Sequence, residues 1–384
     1  MNTPCAWRLE RDDVDDLAAG CGWLGSGGGG DTYVLALTLK NLIEQGGPIP
    51  VLDPRKLAPD ALVFNVAFVG APITMHEKLF TEAEIVAAVR MMQQRLGRAV
   101  TGLMATEIGG GNGLSPFIAG ALLDLPVVDA DGMGRAFPMA DHVSYSIHGR
   151  SSLPSIAAGE HGEVVVVEAG TNRQVERLVR AVSVVFGSKC FGADHPLTGK
   201  DVEECAVLDT VSMARHIGAS VRSARRRHAD PLAALVQWFD TQRGLALRIL
   251  FDGKVAGVEH EVREGWGFGR VLLRPVSGSG PAMTIDFQNE FLLAQIDGRP
   301  FVTTPDIITI IDSSTLQAIS SDAVRYGQRV KVIGIESPQV MSSERALAVV
   351  GPRAFGYETD YRPLSAMPAD VGTIVCESTG VAGL

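Results

Sequence analysis

A chain of 384 residues is long enough for two domains and too long for one ordinary core. Apolar residues at 46% and charged residues at 20% describe a globular protein and exclude a disordered one. The formal net charge of −10 argues against a nucleic-acid partner, whose phosphates need a dominant basic surface.

Residues 12–24 carry Val14, Leu17, Ala18, Cys21 and Leu24 at helical spacing. A glycine run follows, and Asp31 is placed to cap a second helix over 32–45 that Gly46-Gly47 ends. The apolar, β-branched run 61–69 predicts a strand. Thr81-Glu-Ala-Glu84 is a capping box opening a helix to Leu96, closed by Gly97. Residues 99–105 read as a second buried strand, Ser115-Pro116 as the start of a helix to Leu123, and 126–128 as a third strand. Strand and helix alternating at this spacing imply a parallel sheet with right-handed crossovers.

Residues 171–240 read as mainly helical, with segments at 172–186, 201–217 and 230–240. From Gly244 to about Glu336 short alternating runs are broken by Asp252-Gly253, Gly265, Gly278-Ser-Gly280 and Asp297-Gly298, which are hairpin signals. This half predicts an antiparallel β barrel or sandwich. The domain boundary falls near residue 166, giving an α/β domain over 1–166 and a second domain over 167–384. The tail after Met367 reads as peripheral.

Five cysteines form no Cys-x-x-Cys pair, and the odd count fits a reducing compartment. No signal segment opens the chain, and no run approaches about 18 apolar residues, so no membrane span is expected. These features predict a cytoplasmic protein. The basic run Arg225-Arg-Arg-His228 reads as a solvated helix end.

Four loops in the first 140 residues stand out: Leu24-Gly-Ser-Gly-Gly-Gly-Gly-Asp31, Gly70-Ala-Pro-Ile-Thr-Met-His-Glu77, Glu107-Ile-Gly-Gly-Gly-Asn112 and Asp129-Ala-Asp-Gly-Met-Gly-Arg-Ala-Phe-Pro138. Glycine costs entropy on folding and buries no side chain, so loops of this kind suggest backbone close to a small polar ligand. The first is no dinucleotide fingerprint, because a helix and not a strand precedes it, and it lacks the Lys-Ser/Thr of a phosphate-binding loop. Gly27, Gly28, Gly29, Gly30 and Asp31 are therefore candidate substrate-binding residues at a helix N-terminus, the alternative being a tight helix–helix turn.

Glu77 and Glu107 follow predicted strands, where a carboxylate can activate water, bind a metal or accept from a ring N–H. Asn112 can read a heterocycle or simply fill a turn. A turn at Gly132 can bring Asp129 and Asp131 toward one cation or one substrate, with Arg135 within pairing reach. The oxygens of these acids and Asn112 would suit Mg²⁺ or Mn²⁺, although the chain has no HxH, HExxH or EF-hand spacing. His76 and His195 stand in candidate loops but are more simply packing residues. Cys190, beside Lys189, reads as a small buried apolar residue, and without a Gly-x-Ser-x-Gly elbow serine-hydrolase chemistry has little support.

Together these loops resemble the S-methyl thiohydantoin desulfurase family. The resembling segments are LGSGGGGD (24–31), GAP…EK (70–78), EIGGGN (107–112) and VDADGMGRAFP (128–138), joined by FQNEFL (287–292), TTPDIITIID (303–312), RYGQRVKVIGI (325–335) and VGPRAFGY (350–357). The resemblance implies a three-layer α/β N-terminal domain and a β-barrel-containing C-terminal domain. It also implies hydantoin metabolism, in the company of ATP-dependent hydantoinases and oxoprolinases.

Two readings follow. In the first, the chain is a hydrolase or desulfurase acting on an S-methyl thiohydantoin ring, with Glu107, Asp129, Asp131 and Arg135 as the catalytic set. In the second, it is a non-catalytic partner or subunit of a hydantoinase. A homo-oligomer is compatible with either. Asn289 and Asp306, in the β-rich half, either fill a hairpin turn and cap an edge or reach the loops at Gly27–Asp31 and 129–135 and close a cleft over the substrate.

Overall fold

The computed structural model describes residues 5–70, 78–227, 230–263, 266–277 and 279–367. By contact the chain divides into two units, Met1–Cys21 with Gly29–Gly218, and Gly22–Gly28 with Ala219–Leu384.

The first unit is an α/β domain. Its strands are β1 (Cys5–Leu9), β2 (Ile49–Leu52), β3 (Leu62–Gly70), β4 (Gly102–Ala105), β5 (Val127–Asp131), β6 (Ser155–Ala158), β7 (Val164–Val167), β8 (Lys189–Thr198) and β9 (Val207–Leu208). They form one sheet in the order β1-β2-β5-β4-β3-β8-β6-β7, with β9 on β5. The centre, β2-β5-β4-β3, is parallel, and β1, β8, β6 and β7 add antiparallel flanks. Helices Glu82–Leu96 and Ser115–Leu123 are the crossovers on either side of β4. The first has its predicted capping box, with Thr81 and Glu84 bonding each other's backbone amides, and Gly97 ends it at φ +62°. Its buried face is Ile85, Ala88, Val89 and Met92, a helical period.

The sequence pattern concealed part of this sheet. Residues 189–198, expected inside a helical region, form β8, which pairs β3 from Gly70↔Lys189 to Leu62↔Thr198 and holds β6 on its other edge. Covered on both sides and interrupted by Asp194, His195 and Pro196, β8 shows no alternation to read. The helix expected over 201–217 is two helices, Gly199–Cys205 and Thr210–Arg227, split by β9. The helices Val14–Leu24 and Thr210–Arg227 approach closely within this unit. A Cβ on Gly20 would lie 1.8 Å from the Ala214 carbonyl oxygen, and one on Gly218 would lie 2.0 Å from that of Asp16.

Lys189 opens β8 with a side chain wholly removed from solvent. Its Nζ lies 2.9 Å from Glu84 Oε1 and 3.2 Å from Glu160 Oε2, donates to the Leu79 carbonyl at 2.6 Å, and stands 4.6 Å from the Phe80 ring centre. Burying this cation is tolerable only because all its donors meet oxygen.

The second unit is a curled antiparallel half-barrel. Its strands β10 (Leu247–Arg263), β11 (Trp266–Pro275), β12 (Met283–Gln288), β13 (Glu290–Ile296), β14 (Arg299–Thr303), β15 (Ile307–Asp312) and β16 (Arg329–Ile335) follow the order β14-β13-β12-β11-β10-β16-β15. Register shifts in β10 at Ile249/Phe251 and Val255/Gly257 supply the bulges that bend such a sheet. Leu250, Phe251, Val255, Ile285, Phe287 and Phe291 lie in its core. Asp297-Gly298 makes the expected hairpin turn, at φ +45° and +77°. Asp252-Gly253 does not turn, because both residues lie inside β10. Gly253 is needed there because a Cβ would lie 2.3 Å from the Arg274 carbonyl oxygen of the neighbouring strand.

The segment Gly22–Gly28 packs inside this unit. Trp23 Nε1 donates to the Leu316 carbonyl at 2.8 Å, and the Phe291 amide donates to the Ser26 carbonyl at 2.6 Å. Buried Asp306 ties the end of the described chain down, accepting from the Ser337 amide (2.8 Å), the Tyr361 hydroxyl (2.7 Å) and the Leu364 amide (3.0 Å).

Two stability outcomes follow. Lys189→Met leaves the Glu84 carboxylate buried without its cation and should cost about 3–5 kcal/mol in urea unfolding. Adding Glu84→Gln should recover part of that loss, and a single variant within about 0.5 kcal/mol of wild type would show the pair to be idle. Tyr361→Phe removes a hydrogen bond to a buried carboxylate and should cost about 1.5–3 kcal/mol by the same measurement.

Candidate functional site

The carboxyl ends of β4 and β5 lie side by side, the place where open α/β sheets present ligand-binding loops. From β4 the chain continues through Thr106 and Glu107 into a 3-10 turn, Gly110–Leu114, and from β5 through Gly132 to Phe137. Two acids organise these turns.

Asp131 is fully buried, and its Oδ2 accepts three backbone amides, from Ile108 (2.8 Å), Met133 (3.0 Å) and Gly134 (2.8 Å). Burial nevertheless pushes its carboxyl up to about 7, the amides and Thr210 offsetting only part of the desolvation. Gly132 cannot carry a side chain, since a Cβ would stand 2.6 Å from the Tyr145 hydroxyl and 2.7 Å from the Thr106 carbonyl oxygen.

Glu107 is 7% exposed. Its Oε1 accepts from Asn112 Nδ2 at 2.7 Å and its Oε2 from the Phe137 amide at 3.2 Å, so both loops hold it. Burial raises its carboxyl to about 7 against the lowering effect of these two donors, with Asp131 adding repulsion and Arg135 attraction. A carboxyl titrating near neutrality accepts and returns protons at physiological pH. Asn112 is committed at both ends, its Oδ1 accepting from the Phe68 amide of β3 at 2.8 Å.

Arg135 is buried, with Nε donating to the Ala136 carbonyl at 2.9 Å and its guanidinium carbon 4.6 Å from the Phe137 ring centre. Asp129 serves a different partner from Asp131. It accepts from the Ser212 amide at 3.0 Å and from the Ser212 hydroxyl, so it holds the first turn of the helix Thr210–Arg227 to β5. Burial raises the Asp129 carboxyl as well, the Ser212 bonds opposing. Neither Ser212 nor the Phe137 amide was legible as a partner, since each becomes one only through folding.

Beside Asn112 a pocket opens between Gly29, Gly30, Phe68, Leu79, Phe80 and Gly111. Phe68 and Phe80 form its aromatic wall, with ring centres 4.2 Å apart. Gly29, at φ +76°, has no room for a side chain, because a Cβ would lie 2.1 Å from the Gly109 carbonyl oxygen. The Gly29 and Gly30 carbonyls accept from the Asn112 and Gly111 amides at 3.2 and 3.0 Å, so the glycine run and the Glu107 loop form one floor. Asp31 accepts from the Tyr33 amide at 2.5 Å but stands one residue before the N-cap, which is Thr32 of the helix Tyr33–Gly46 and not Asp31 as expected.

Gly27 and Gly28 belong to the second unit, where Cβ atoms would meet the Phe291 ring at 2.4 Å and the Glu290 carboxylate at 1.9 Å. Asn289 is a tight-turn residue in that unit, at φ +58°, its Oδ1 accepting from the Gly267 amide at 2.8 Å. Asp306 is the anchor described above. Glu77 and His76 lie outside the described residues. Among the described residues no group of three His, Cys, Asp or Glu side chains is arranged to hold a metal ion. Cys190 is buried in β8, its thiol pushed up to about 12 by desolvation, which makes it a packing residue. No helix among the described residues is long and apolar enough to cross a membrane.

A crystal structure of a protein from Chromobacterium violaceum superposes on 94% of this chain and 100% of its own, with a TM-score of 0.79 and 24% identity, a likeness of fold alone. No curated protein matches the sequence. Residues 12–169 match a family described as S-Me-THD-like, N-terminal domain, and residues 170–364 match its companion, S-Me-THD-like, C-terminal domain. The second match takes in β8 and the helices up to Gly218, which complete the sheet of the first unit. With matches running through nearly the whole chain, this protein belongs to the S-methyl thiohydantoin desulfurase family.

Proposed function

We propose that the chain hydrolyses an S-methyl thiohydantoin ring, releasing methanethiol and leaving a hydantoin, with Glu107 as the base. The observation that carries this reading is a buried carboxyl poised near pH 7, held from both loops at the mouths of β4 and β5. The reacting ring carbon lies between two nitrogens and bears the thioether. Water adds to that carbon as Glu107 takes its proton. The tetrahedral centre then collapses, the carbon–sulfur bond breaks, and the proton passes to the departing methanethiolate. Water and substrate thus account for every atom of hydantoin and methanethiol.

The flat ring suits the wall formed by Phe68 and Phe80, whose faces offer offset stacking. Arg135, whose charge acts on Glu107, favours the anionic form of the base and offsets negative charge developing on the ring. Asp131 is a positioning residue, since its Oδ2 fixes both loops. Asp129 holds the first turn of the helix Thr210–Arg227 to β5 through Ser212. The oxygens a Mg²⁺ or Mn²⁺ would need on Glu107 and Asp129 already accept hydrogen bonds.

Purified protein should release methanethiol from S-methyl thiohydantoins, read by a thiol reagent. Glu107→Gln should lower kcat by about 10²–10⁴-fold, the usual contribution of a general base. Unchanged turnover in that variant removes Glu107 from the mechanism. An inactive chain that co-purifies with a hydantoinase supports the partner reading instead.

The pH profile has a definite sign. Burial raises Glu107 from 4.5 to about 7, and only its deprotonated form is a base, so kcat/KM should rise with pH to a plateau above about 7. Below that point it should fall tenfold per pH unit. A profile flat from pH 5 to 8 would falsify the assignment. Exhaustive chelation should leave the rate unchanged, and loss restored by Mg²⁺ or Mn²⁺ would place a metal in the step.

A further inference from the structure

A second constellation in the α/β unit lies outside the Glu107 loops. Ser146, half-buried in the short helix Ser144–Ile147, has its Oγ 2.8 Å from His195 Nε2. His195 Nδ1 is 2.9 Å from Asp194 Oδ1. Asn172 Nδ2 donates to Ser146 Oγ at 2.8 Å. Asn65 Nδ2 donates to Asp194 Oδ1 at 2.5 Å and to the Thr106 hydroxyl at 2.8 Å.

The chemistry of these groups gives the network one direction. An ionised Asp194 only accepts, so the imidazole proton sits on Nδ1 and Nε2 is left as an acceptor. Asn172 already donates to Ser146 Oγ, so the serine's own proton points at Nε2. That is the ground-state polarity of a nucleophile, its base and the carboxylate that orients the base.

The backbone is distorted to reach this geometry. Asn65 pairs Asp194 while Val63 pairs Leu197, so β8 carries one more residue than β3 across that step. His195 occupies this bulge at φ +47°, directly before Pro196, a conformation unfavourable for histidine. Bulges re-aim side chains, and this one turns the imidazole toward Ser146. Tyr145 packs edge-on against the ring, centres 4.8 Å apart, and holds its plane.

There is also space beside it. A cavity of about 30 Å³ lies on the side of Asp194, His195 and Asn172, with Ser152, Ala67 and Ile156 also among its walls, while Ser146 is reached across His195 and Asn172 and does not itself line it. That volume holds a water or a methyl-sized group. Asn172 is the first residue of the 14-residue helix Asn172–Val185, so the serine oxygen stands at a positive helix end.

We propose that Ser146, His195 and Asp194 are an acyl-transfer triad that hydrolyses esters of small carboxylic acids, a site independent of Glu107. Ser146 Oγ bonds to the ester carbonyl carbon while its proton passes to His195 Nε2. The ester carbon–oxygen bond then breaks, and the leaving alkoxide takes that proton as an alcohol. Water, deprotonated by the same imidazole, cleaves the acyl-serine to a carboxylic acid and restores the hydroxyl. Asn172 is a positioning residue, its Nδ2 donating to Ser146 Oγ at 2.8 Å and to the Arg150 carbonyl at 2.7 Å.

The test uses the full-length protein with a fluorophosphonate probe, peptide mapping by mass spectrometry, and p-nitrophenyl acetate as substrate. The expected result is one phosphonylated peptide carrying the label on Ser146, and acetate release that Ser146→Ala lowers by about 100-fold or more. His195→Asn keeps a residue that tolerates the left-handed backbone, so it should fold and yet label about 100-fold more slowly. Label on any other residue of the wild-type protein, or none, overturns the proposal. So does a folded His195→Asn variant, verified by circular dichroism, that labels at the wild-type rate.

Discussion

One oxygen holds together the two loops that leave the carboxyl ends of β4 and β5. Asp131 Oδ2 gathers amides from Ile108 on one loop and from Met133 and Gly134 on the other. A short polar side chain at the end of a parallel strand thereby replaces the ladder that the diverging chains lose. Its cost is a buried carboxyl whose ionisation is resisted by desolvation. Everything nearby adapts to that anchor. Gly132 must lack a side chain because Tyr145 and the Thr106 carbonyl close over it, and the Phe137 amide is delivered to Glu107 by the turn that Asp131 sets.

Two nearly equivalent buried carboxyls therefore have different work. Asp131 has three amides on one oxygen and acts on the chain. Glu107 has one donor on each oxygen, one from a side chain and one from the backbone, and lies beside the pocket that Asn112 lines. Asn112 joins the two roles, since its amide bonds Glu107 at one end and the Phe68 amide of β3 at the other. The ends of β3 and β4 thus meet at one side chain, which also lines the pocket walled by Phe68 and Phe80.

The antiparallel flank extends this economy. β8 closes the sheet beside β3, and its two ends carry polar groups that no packing argument alone requires. At one end Lys189 neutralises Glu84 and approaches Glu160, which binds the capping box of the crossover helix to the sheet. At the other the bulge at His195 breaks the ladder and turns an imidazole toward Ser146. Asn65, in the middle of β3, links that bulge to Thr106, the residue before Glu107.

Local signals decided much of this protein from sequence alone. Thr81-Glu84 and Gly97 bounded a helix because capping is settled within one turn of chain, and Asp297-Gly298 made its hairpin because a two-residue turn needs only its own φ angles. The α/β class, the β-rich half and the family followed from periodicity and motif. Glu107 and Asp131 were visible as acids after strands, and Asn112 as an amide in a glycine bed. Tertiary structure decided which partner each received. Asp252-Gly253 stayed inside a strand because Arg274 of the next strand covers it, and β8 was hidden because a strand buried on both faces loses its alternation. Asp129 met Ser212, 83 residues away, and Ser146 met His195 across 49. Hydrogen bonds of that span depend on how strands register and helices dock, and no window of sequence contains both ends.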